Sequence, residues 1–156
     1  MLIIIILSFM LDNIISLYLN QNSIFFPLFT LLSLIILLSY HLQEYKFFIL
    51  SFVIGLLYDI MFTDTLFLNA GIFLLFSLII YIIFKKLNYN LLNVLIVSTF
   101  IIIFYRIITY FIFLLNHSIS FNILKLLTGI YSSILINLIY VMMLYFVVNK
   151  RKNCSK

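Results

Sequence analysis

The sequence predicts an all-α integral membrane protein, a compact bundle of six transmembrane helices with both termini in the cytoplasm. Three observations lead there. Of the 156 residues 67% are hydrophobic and only 8% charged, with mean hydropathy +1.34, far from the half and quarter usual in soluble domains. The apolar residues fall into six runs. A spanning helix needs about 20 residues to cross roughly 30 Å of hydrocarbon, so six spans would use about 120 and leave only short connections. Finally, the basic residues between the runs gather on one side of the membrane, which sets the orientation.

The runs are helices rather than barrel strands, because stretches such as 31–38 and 100–104 are apolar without polar alternation. The first, 1–19, has no basic leader, and Asn20-Gln21-Asn22-Ser23 is not a small-residue cleavage site, so it reads as a retained span. The second, 24–40, carries Pro27 in its first turn, where a missing N–H does no harm. Next come 47–62, 66–84, 91–115 and 124–148, followed by a basic tail, 149–156. No linker or internal repeat divides the chain, which reads as one domain, 1–156.

With the N-terminus inside, the cytoplasmic side holds Lys46, Lys85, Lys86, Lys150, Arg151, Lys152 and Lys156, and the outer side only Lys125. That asymmetry is the topology signal. The net charge of +5 does not indicate nucleic acid, since Lys150, Arg151, Lys152 and Lys156 cluster directly after the last apolar run. This is a juxtamembrane pattern, with a specific role at lipid headgroups as its second reading.

Scarcity excludes most chemistry. Cys154 is the one cysteine, so no internal disulfide or thiolate cluster forms. His41 and His117 fall in loops on opposite sides and cannot share a metal. Gly55, Gly71 and Gly129 are too dispersed for a phosphate cradle. No cofactor is expected.

Asp12, Asp59 and Arg106 lie within apolar runs. Each costs about 2.5 to 3.5 kcal/mol near a helix centre, against roughly 0.3 to 0.6 gained per large apolar residue. At about 1.5 Å per residue, Asp12 and Asp59 lie roughly 18 Å, and Arg106 roughly 22 Å, from the cytoplasmic ends of their helices. The shared level suits an intramembrane charge network, with Asp59 paired to Arg106. The alternative is two carboxylates reaching interfacial water.

Ser51, Gly55 and Asp59 fall at successive fourth positions on one helix face, and Gly129, Ser133 and Asn137 repeat the arrangement in the last run. Small residues let backbones approach closely in lipid, and Ser and Asn hydrogen-bond across the contact. These are packing or partner faces, with packing inside the chain preferred. The aromatic load of 11 Tyr and 18 Phe reads mostly as lipid-facing, with Tyr18, Tyr40, Tyr45 and Tyr89 at interfacial positions.

The segment SFVIGLLYDIMFTDTL, 51–66, resembles the signature of the MreD family of bacterial rod shape-determining membrane proteins. Gly55, Tyr58, Asp59 and Leu66 match its glycine, aromatic, aspartate and leucine. Ser51 and Phe67 stand where that family typically has glycine. Pro27 at the start of the second span and Asn137 within SILINLI, 133–139, extend the likeness along nearly the whole chain. The resemblance implies a non-catalytic component of the cell-elongation machinery in the bacterial cell membrane. Its partner would be an MreC-like single-span protein, linked to MreB, RodA and a penicillin-binding protein.

Two other classes compete. The binding subunit of an energy-coupling-factor type vitamin transporter has similar length and span count, and Asn69, Tyr105 and Asn137 could line its pocket. Such subunits resemble one another in an alanine-rich stripe on the first helix, however, and 1–19 contains no alanine. A lipid-modifying enzyme would have only Asp12 and Asp59 as candidate acids.

Overall fold

A computed structural model describes residues 2–18, 27–38, 43–62, 67–115 and 121–154. They form α1 (Leu2–Tyr18), α2 (Phe29–Leu38), α3 (Glu44–Phe62), α4 (Leu68–Lys86), α5 (Leu91–Leu115) and α6 (Ile123–Cys154), with no strand among the described residues. Among the described residues, three stretches are long and apolar enough to cross a membrane: Leu68–Lys86, Leu91–Ile112 and Leu126–Lys150. α3 is as long as α4 but carries Glu44, Lys46 and Asp59.

Consecutive helices pack as antiparallel hairpins, α1 with α2, α3 with α4 and α5 with α6, and α2 also touches α4, α5 and α6. α2 therefore lies at the centre. Its residues Phe29 to Leu37 are all buried. The structure departs from the sequence expectation most at its start, because Pro27 and Leu28 are not helical and the helix begins at Phe29. It opens after Pro27, inside the bundle, and positions 24–26 and 39 of the apolar run lie outside the described residues. His41, His117, Asn20 to Ser23 and Tyr40 lie outside the described residues.

Other boundaries shift for local reasons. α3 starts at Glu44, whose carboxylate suits a helix N-terminus, and α4 ends on Lys85 and Lys86, whose charge suits a C-terminus. α6 runs 32 residues to Cys154, carrying the helix through most of the basic tail. Aromatic residues enter the core more than composition suggested. Phe47, Phe73 and Phe76 are among its largest buried side chains, and Tyr58 and Tyr105 are buried too. The rings of Phe9 and Tyr58 join α1 to α3 at 6.2 Å, and those of Phe29 and Tyr140 join α2 to α6 at 4.2 Å. Ile49, Leu57 and Ile60 on α3, and Leu135, Ile139 and Met143 on α6, point outward.

Candidate functional site

The start of α2 raises a problem of hydrogen bonding. The first N–H groups of any helix have no partner within it, and in a bilayer no water replaces one. Pro27 has no N–H. The next three residues each find an acceptor on another helix. Leu28 donates to Asn137 Oδ1 at 2.8 Å, Phe29 to Asp12 Oδ1 at 3.0 Å and Thr30 to Asp12 Oδ2 at 2.9 Å. The Thr30 hydroxyl also donates to Asp12. Asp12 and Asn137 have no exposed surface. A carboxylate thus sits against the positive end of a helix dipole, where its charge is favoured.

α3 and α4 repeat the device. Asp59 Oδ1 accepts from the backbone and side-chain nitrogens of Asn69 at 2.9 and 3.0 Å, and Oδ2 from the Ala70 N–H at 3.0 Å. Phe67, just before α4, has φ 67° and its side chain makes no capping bond, so the cap comes from α3. A glycine at this position would take the left-handed conformation without steric cost. The stripe Ser51, Gly55, Asp59 lies along α4. The Ser51 hydroxyl donates to the Phe73 carbonyl at 2.8 Å, and a Cβ on Gly55 would stand 2.5 Å from Ala70 Cα and 2.8 Å from the Asn69 carbonyl oxygen. Backbone meets backbone, and that approach lets Asp59, one turn on, reach the amides.

On α6, Ser133 and Asn137 are buried, with Asn137 Nδ2 donating to the Ser133 carbonyl and hydroxyl at 2.7 and 3.0 Å. Gly129 is different. A Cβ there would meet nothing within 4 Å among the described residues, so no close backbone approach requires it.

Arg106 donates from Nη2 to Ser133 Oγ at 3.2 Å, and its neighbour Tyr105 donates to Asn69 Oδ1 at 3.3 Å. Adjacent residues of α5 thereby join the α2 cap to the α4 cap. One polar layer crosses all six helices through Asp12, the first turn of α2, Asp59, Asn69, Tyr105 with Arg106, and Ser133 with Asn137. The acids that the sequence singled out are in it. The sequence did not disclose their role, because the amides they hold lie 17, 18, 10 and 11 residues away along the chain.

The topology-signal residues lie apart from this layer. Lys85, Lys86 and Lys150 are exposed at the opposite ends of α4 and α6, and α6 carries Arg151 and Lys152 beyond. No group of three or more potential metal-ligating side chains occurs among the described residues.

No curated protein and no solved structure matches the chain. The family model described as rod shape-determining protein MreD matches residues 1–151.

Proposed function

Because the chain belongs to the MreD family of rod shape-determining proteins, we propose that it is a non-catalytic membrane scaffold of the cell-elongation complex. Family membership carries the role in rod-shape determination. In this reading the protein crosses the bacterial cell membrane six times with both termini in the cytoplasm. It binds an MreC-like single-span protein, and through it connects to MreB, RodA and a penicillin-binding protein in peptidoglycan synthesis.

The observation that carries the scaffold reading is the use made of Asp12 and Asp59. Both oxygens of each carboxylate accept N–H groups at a helix start. Acids held in this way brace helices, whereas general acid or base work needs a carboxyl within reach of a substrate proton. A bundle braced in its interior can present constant outer surfaces to a partner helix.

The test is recovery of partners from the cell membrane with a tagged full-length chain, together with cell shape after its loss. The expected result is recovery of the MreC-like protein and rounding of the cells. Recovery of a transporter's ATPase and coupling subunits instead, with normal shape, would transfer the chain to the vitamin-transporter class.

A further inference from the structure

The rim opposite the α2 and α4 starts is assembled by aromatic and polar contacts. The Tyr81 hydroxyl donates to Glu44, tying the end of α4 to the start of α3, and the Tyr81 ring meets Phe48 edge-on at 5.6 Å. Phe84 packs on Tyr89 at 5.5 Å, and Tyr89 stacks on Tyr145 of α6 at 5.8 Å. These contacts set Glu44, Lys46, Lys85, Lys86 and the α4–α5 turn at one level, which α6 passes at Tyr145.

From Tyr145 the helix continues to Cys154, about 13 Å further. The polar zone outside the hydrocarbon is about 5 to 8 Å deep on each side. Tyrosines favour its inner boundary, and Lys150 lies about 7 Å past Tyr145 along the helix, which is headgroup height. Lys46, Lys85, Lys86 and Lys150 are all exposed. Glu44 is the one acid on this rim among the described residues, and its carboxylate is engaged by Tyr81. The Lys46 and Lys85 ammonium groups stand 5.7 and 5.9 Å from the ring centres of Tyr45 and Tyr81.

We infer that this rim binds anionic phospholipid headgroups of the leaflet it faces. The height of the lysines, the charge of the rim and the continuation of α6 all favour that occupant, since a zwitterionic headgroup offers no net charge to match. The inference rests on the membrane-spanning reading, but vesicles of equal composition in both leaflets make its test independent of which side is cytoplasmic.

The experiment reconstitutes the full-length protein into phosphatidylcholine vesicles containing a minority of phosphatidylglycerol. It measures how strongly spin-labelled phosphatidylglycerol and phosphatidylcholine are immobilised at the protein surface. The expected result is a preference for phosphatidylglycerol of about two- to fivefold at low salt, lost as salt shortens the Debye length. Joint Lys85→Gln, Lys86→Gln, Lys150→Gln, Arg151→Gln and Lys152→Gln should remove most of it, and Lys→Arg changes at the lysines should keep it. Equal immobilisation of the two lipids at low salt would overturn the inference and leave the rim to an acidic protein surface or to topology alone. A preference unchanged by the glutamine variant would overturn it as well. If that variant does not reconstitute, the salt series on the unaltered protein decides.

Discussion

Gly55 and Ala70 bring α3 and α4 into backbone contact, with room for no Cβ on the glycine: that atom would lie 2.5 Å from Ala70 Cα. Gly55→Ala should therefore destabilise the bundle by about 1 to 3 kcal/mol, the range for overpacking, and Gly55→Leu by more. Ile49→Leu, on the outward face of the same helix, should stay within about 0.5 kcal/mol. Thermal unfolding in detergent distinguishes them, and equal behaviour of Gly55→Leu and Ile49→Leu would mean the two helices do not pack as described.

Phe67 offers a change in the opposite direction. Its left-handed backbone costs about 1 to 2 kcal/mol for an L-residue with a side chain, and glycine gives back about 0.5 to 1 through the freedom of its unfolded chain. The ring is 62% exposed, so it contributes little packing. Phe67→Gly should raise stability by about 0.5 kcal/mol. Phe67→Val, stiffer at Cβ, should lower it. A loss on Phe67→Gly would show that the ring is held by more than the packing within this chain.

The parts of this fold legible in the sequence were those that depend on local composition. Six helices follow from the six apolar runs, and a small residue every fourth position marked the face on which Ser51, Gly55 and Asp59 meet α4. The place where α2 begins was not legible. Its start is set by Asp12 and Asn137, one 17 residues before Phe29 and the other 109 residues beyond Leu28, and no periodicity records such partners. The same holds for the carboxylates. Depth placed them on one level and suggested a guanidinium partner, but backbone amides are present in every sequence and so leave no mark in it.

The coupling of Asp59 with Arg106 is a separate proposal. It is supported by the chain of contacts from Asp59 through Asn69 to Tyr105, the residue preceding Arg106. Asp59→Asn and Arg106→Gln should each reduce the yield of folded protein, and the double variant should regain part of the loss, since one member of a buried pair is costlier left alone than both removed. A double-mutant cycle should return about 0.5 to 3 kcal/mol of coupling. Additive losses would leave Asp59 a helix cap alone and Arg106 a partner of α6.

Topology has its own test in Cys154, the one cysteine. With both termini cytoplasmic, a membrane-impermeant thiol reagent should label it only after intact cells are permeabilised. Labelling beforehand would reverse the orientation.

The two remote caps can be observed one at a time by the amide proton shifts of Phe29, Thr30, Asn69 and Ala70, measured by NMR on the protein in a membrane mimetic. Hydrogen bonds to a carboxylate are shorter and stronger than those to a neutral acceptor, so these protons should resonate downfield of their helical neighbours. Asp59→Asn should move Asn69 and Ala70 while leaving Phe29 and Thr30 in place, and Asp12→Asn should do the reverse. Amide shifts indifferent to both substitutions would contradict the capping of α2 and α4 by carboxylates.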